Sequence, residues 1–299
     1  MIGTKNILPS IFDKLLSETT QQKVEKLILY VAIASFLIHL LIIYVTKLNG
    51  SVFLQDSELF ENPISAIYTP FSFILIYEVY LLIFYLPRSI TTYIGKQYEI
   101  ITLIVIRRIF KDLANLELNS DWFDIKSDLN FTYDIITALL LFFMIYIFSL
   151  ERQKMHNSNK INPLAPVQIE QFISIKRFMA TVLVPIFIGI GLVTFTTWVL
   201  DGSPANLSVA IKDVNSIFFD QFFAILIIVD VFLLLFSFFY TDQFHKVIRN
   251  SGFIISTILI RLSFSVDGLL NNCLIISSIA FGILILWIHN RFEKNINMT

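Results

Sequence analysis

Residues 217–240 read IFFDQFFAILIIVDVFLLLFSFFY. Asp220 and Asp230 are the only charges in this run, and large aliphatic and aromatic side chains fill most of the rest. A helix of about 20 apolar residues crosses the ~30 Å hydrocarbon core of a bilayer. A soluble core helix or strand is seldom so long without polar interruption. The stretch therefore reads as a transmembrane helix carrying a carboxylate, Asp230, ten residues before its end at Tyr240.

The rest of the chain has the same character. Of its 299 residues, 56% are apolar and 15% charged, and the mean hydropathy is +0.74. Soluble domains run at about 45–50% and about 25%, so a soluble globular enzyme is excluded, and a disordered chain with it. A net charge of −1 excludes a polybasic nucleic-acid surface. The single cysteine, Cys273, allows neither an internal disulfide nor a cysteine-based metal centre. There is no P-loop, HExxH, GxSxG, dinucleotide or EF-hand signature, so no enzymatic activity and no cofactor is expected. Glycine is scarce, at 9 residues, which argues against a broken-helix transporter.

Seven further apolar runs flank the first, at Leu27–Val45, Ile67–Leu86, Tyr98–Leu118, Tyr133–Leu150, Phe178–Leu200, Gly252–Leu270 and Asn272–Asn290. The third and seventh of the eight runs in chain order are the weakest, because each carries arginine. The expected fold is an all-α polytopic membrane protein with about eight transmembrane helices, built as two parallel tandem four-helix units. Residues 1–26 form a cytoplasmic or interfacial segment, in which Ile7–Leu16 is either an interfacial helix or a solvated tail. The first unit is 27–150 and the second 176–291. A linker at 151–175, rich in asparagine and proline, joins them, and 292–299 is a tail. Fifteen lysines and arginines fall on one set of connecting segments and four on the other. By the positive-inside rule both termini are cytoplasmic, in a plasma (cytoplasmic) or cell inner membrane, and no cleaved signal peptide is expected.

The two halves resemble one another. YEVYLLIF at 77–84 parallels VDVFLLLF at 229–236, and the stretch from Ile100 to Arg107 parallels that from Ile254 to Arg261. Each match places an acid on one run and an arginine on the next. Glu78 lies nine residues before Pro87, and Arg107 nine residues after Tyr98. Asp230 lies ten before Tyr240, and Arg261 nine after Gly252. Each is thus about 14–15 Å deep, so the expected ion pairs are Glu78 with Arg107 or Arg108, and Asp230 with Arg261. An unpaired charge at the bilayer centre costs roughly 2.5–3.5 kcal/mol on insertion scales, which makes pairing close to obligatory.

Accessory candidates are His39 within the first run, Lys111 beside the arginines and Asp267 near an outer helix end. His156, His245 and His289 lack metal-ligand spacing, and no metal is expected. Ser278 and Gly282 form a small-xxx-small face. The function this pattern points to is movement of a small ion or proton, or sensing of the membrane field, through the paired charges. The rival is a non-transporting membrane scaffold or complex subunit whose ion pairs are structural. The expected partners are the lipid bilayer, a small cation or proton, and further copies of the chain or a membrane complex, with no nucleic acid.

Overall fold

The computed structural model describes residues 12–49, 63–113, 126–158, 166–201, 207–240, 243–266 and 268–296. Among these, every regular element is helical and no strand occurs. The long helices are α1 Glu18–Asn49, α2 Tyr68–Tyr85, α3 Ile90–Leu113, α4 Lys126–Ser158, α5 Pro166–Asp201, α6 Leu207–Tyr240, α7 Phe244–Ser263 and α8 Leu269–Ile296. A 3-10 turn, Pro63–Ile67, precedes α2.

Among the described residues, five segments are long and apolar enough to cross a membrane: Phe12–Leu48, Leu129–Met155, Glu170–Val193, Gln221–Tyr240 and Leu269–Ile296. They correspond to α1, α4, α5, α6 and α8. The apolar part of α2, Thr69–Tyr85, is shorter. Helices α3 and α7 lie over the two weakest runs, where Arg107, Arg108 and Lys111, and Arg261, interrupt the apolar sequence.

Local chemistry sets the helix ends, and several differ from the apolar runs. Ser17 Oγ accepts the Thr20 amide at 3.2 Å and caps α1, with Glu18 in the first turn and Lys47 in the last, both favourable to the helix dipole. Ser89 caps α3 in the same way through the Thr92 amide, so α3 starts eight residues before the expected Tyr98. Likewise α7 starts at Phe244 rather than Gly252, and it stops at Ser263 rather than Leu270. There the chain tightens into i→i+3 bonds, Asn271 Nδ2 takes the Ser263 carbonyl, and Gly268 turns at φ 67° into α8. The expected linker 151–175 is largely helical. α4 runs through Ser158, and α5 opens on Pro166, whose missing N–H is harmless in a first turn. Residues 159–165, between them, lie outside the described residues.

The chain forms two compact units, and each takes residues from both sequence halves. The first is Met1–Phe84, Arg107–Trp122 and Ala180–Ala224, and the second is Tyr85–Ile106, Phe123–Met179 and Ile225–Thr299. In the first unit the chain before α1 is tied down: Leu16 is buried, and Tyr80 Oη donates to the Leu15 carbonyl at 3.0 Å. Phe71 stacks on Phe110, and Phe187 meets Phe222 edge to face. In the second unit α8 packs on α7 and α4. Tyr98, Phe148 and Phe253 form an aromatic train through its core. Tyr98 Oη and Ser256 Oγ lie 2.7 Å apart, and Ser256 Oγ bonds the Ser278 carbonyl at 2.7 Å. The absent side chain of Gly282 admits the Tyr98 hydroxyl, since a Cβ there would stand 1.9 Å from it.

Large apolar side chains lie on the surface, and several polar ones sit among the apolar residues of the interior. Phe142 is 74% exposed and Leu139 71%, while Asp230, Ser256, Ser263 and Ser278 are wholly buried. A surface so apolar is suited to lipid, where helices meet through small and polar groups. The apolar helices make this a multi-pass membrane protein.

Candidate intramembrane charge site

Helix α2 presents Glu78 and α3 presents Arg107, both within the first unit. Arg107 Nη2 donates to Glu78 Oε2 at 2.5 Å, with side-chain exposures of 12% and 4%. Of the two adjacent arginines, Arg107 supplies this bond, and Arg108 lies partly buried on the same helix. In the second unit, Arg261 Nη2 of α7 donates to Asp230 Oδ2 of α6 at 3.0 Å. The two side chains are 6% and 0% exposed.

The surroundings of the two acids differ. Asp230 Oδ1 accepts from Tyr93 Oη at 3.0 Å, and Oδ2 also accepts from Gln97 Nε2 at 3.5 Å. Tyr93 and Gln97 are four apart on α3 and so share a face. With Arg261 they give Asp230 three donors from two helices. Among the described residues, Glu78 takes its bonds from a single residue, Arg107. The sequence reading missed Tyr93 and Gln97. The only signal was a polar pair at helical spacing in a weakly apolar helix, and nothing in it points to a partner more than 130 positions away.

Because α3 and α7 begin eight residues early, Arg107 and Arg261 each stand 17 residues along their helices. That is about 25 Å from the start rather than ~14 Å. Asp230 remains ten residues, about 15 Å, from the end of α6. A straight antiparallel α6–α7 hairpin would leave acid and base ~10 Å apart in level. The long arginine side chain spans the difference to reach Asp230 Oδ2 at 3.0 Å.

His39, buried on α1, hydrogen-bonds through Nδ1 with Thr69 Oγ1 of α2. Lys111 lies on α3 with its side chain outside the described part, and Asp267 lies outside the described residues. Trp287 is exposed, with the Arg291 guanidinium 5.4 Å from its ring centre, while Trp122 lies outside the described residues. Compared with protein-family models, curated proteins and solved structures, the chain matches none.

Proposed function

We propose that this chain crosses the membrane eight times, as two parallel tandem four-helix units, and moves a small ion or proton, or senses the membrane field, through the Glu78–Arg107 pair. The supporting observation is the contrast between the two acids. Asp230 is wholly buried and held by Tyr93, Gln97 and Arg261, so releasing it breaks three bonds at once. Glu78 is held by Arg107 alone among the described residues, and Arg107 retains 12% exposure. An acid with one partner exchanges a proton or ion at the smaller disturbance. One charge carried through the full field is worth ~2.3 kcal/mol per 100 mV, comparable with that single bond. Asp230–Arg261 then serves as the fixed lock.

Two features favour a duplicated origin: the matching acid and arginine sequences, and the arginine placed 17 residues along both α3 and α7. The charge asymmetry favours cytoplasmic termini in a plasma membrane.

A second reading, a scaffold or complex subunit, is favoured by the saturated bonding of Asp230, which resembles an orientation lock more than a moving part. Flux separates the two. Protein in liposomes is expected to carry protons or monovalent cations, and Glu78→Gln to abolish the flux while Asp230→Asn chiefly lowers stability. Folded protein that is silent under pH gradients, ion gradients and imposed voltage overturns the transport and field reading.

A further inference from the structure

Outside the charge pairs, the second unit gathers two imidazoles and a carboxylate. His289 and Glu293 are four apart on α8 and share a face; His245, in the first turn of α7, comes to meet them. The two imidazole rings stack with centres 5.2 Å apart and planes 25° from parallel. His289 Nε2 lies 3.4 Å from Glu293 Oε1, and His245 Nε2 lies 4.0 Å from the same oxygen. All three ligating atoms fall within 4.8 Å of one another. Side-chain exposures are 1% for His289, 11% for Glu293 and 13% for His245.

Ligands bound tetrahedrally at about 2.0–2.1 Å stand about 3.4 Å apart, so one pair is already at that spacing and a second is ~0.6 Å beyond it. The set of two imidazoles and one carboxylate is also a known zinc donor set, with a position left open. Arg249 Nη1 lies 3.0 Å from His289 Nε2, and a guanidinium only donates, so in this contact the imidazole nitrogen is the acceptor.

Lys246 and Arg249 count against a cation here, and Glu293 is the one acid of the set. Coulomb attraction alone would therefore not fill the site, and hard ions such as Mg²⁺ or Ca²⁺, which want several oxygens, do not match it. An ion with high intrinsic affinity for imidazole does. Arg249 is also anchored elsewhere. Its Nε and Nη2 donate to Asn250 Oδ1 at 3.2 and 3.0 Å, and Nη1 also reaches Met155 Sδ at 3.4 Å. It can yield His289 and stay hydrogen-bonded.

We propose that His245, His289 and Glu293 bind a divalent transition-metal ion of the zinc class, which displaces Arg249 from His289. The spacing escaped sequence reading because the third ligand comes from another helix, 44 positions before His289.

The full chain, purified in detergent and stripped of metal, is titrated with Zn²⁺ by calorimetry and with Co²⁺ by visible absorption. One ion per chain is expected, with the cobalt d–d bands of a low-coordinate nitrogen–oxygen site and a raised unfolding temperature. His245→Gln, the least buried ligand and so the variant best tolerated by the fold, is expected to weaken binding about a hundredfold or more and to abolish the thermal gain. Arg249→Gln is expected to tighten binding about tenfold, by removing the resident positive charge. Absence of saturable binding by wild-type protein overturns the proposal. So does binding that His245→Gln leaves unchanged in folded protein, or that Arg249→Gln weakens.

Discussion

Asp230→Asn tests the reading that the α6–α7 pair is a lock. The carboxylate is wholly buried and takes bonds from Tyr93 Oη at 3.0 Å, Arg261 Nη2 at 3.0 Å and Gln97 Nε2 at 3.5 Å. Asparagine keeps one acceptor oxygen in nearly the same place, so part of the bonding survives. What it removes is the negative charge of Asp230, bonded to the Arg261 guanidinium at 3.0 Å. Breaking one side of a buried ion pair costs about 3–5 kcal/mol. An arginine left uncompensated in hydrocarbon costs about 2.5–3.5 kcal/mol on insertion scales. The two routes meet near ~3 kcal/mol. Arg261→Gln strands the carboxylate instead, softened by Tyr93 and Gln97, and is expected to cost about 2–3 kcal/mol. In the double variant no buried charge remains. The loss is then about 1–2 kcal/mol, so the two substitutions couple by roughly 3–5 kcal/mol. The assay is reversible unfolding in mixed micelles, followed by far-ultraviolet circular dichroism across the four-member cycle. An Asp230→Asn loss below ~1 kcal/mol, or losses that simply add in the double variant, would refute a structural ion pair.

Gly282→Ala should destabilise by about 2–4 kcal/mol, because the new Cβ stands 1.9 Å from the buried Tyr98 hydroxyl, which must leave Ser256. In a Tyr98→Phe background the same substitution should cost at least ~1 kcal/mol less; an equal loss in both backgrounds locates the strain elsewhere. Gly252→Ala, whose Cβ would meet Ile285 Cγ1 at 2.8 Å and Cγ2 at 2.9 Å, should cost about 1–3 kcal/mol by thermal unfolding, since the branched side chain must shift as a whole. For topology, single cysteines at Ser127 and Ser158, at opposite ends of α4, are introduced in a Cys273→Ser background that removes the one exposed native thiol. An impermeant thiol reagent outside sealed cells should label the first position only, and equal labelling would rule out the assigned orientation.

Sequence alone determined that this chain belongs in lipid, that it is helical, and which residues are anomalous there. Run length and composition suffice for that, because a bilayer imposes one length and one polarity on whatever crosses it. The run at 217–240 became α6, and its lone mid-run charge, Asp230, is the residue around which the buried network forms. Sequence adjacency likewise set Arg261 against Asp230 and Arg107 against Glu78, since helices joined by a short turn lie side by side. Helix ends were less legible. Ser89 and Asn271 fix them by hydrogen bonds to backbone groups, which an apolar run does not register. Only the tertiary structure decided that Tyr93 and Gln97 complete the Asp230 site, that His245 meets His289 and Glu293, and that each compact unit draws on both sequence halves. The physical reason lies in the solvent. In water, a helix marks its buried face by being apolar there, and the sequence shows it. In hydrocarbon, the face towards lipid and the face towards protein are equally apolar, so the choice of neighbour rests on a few polar and small side chains whose partners lie far away along the chain.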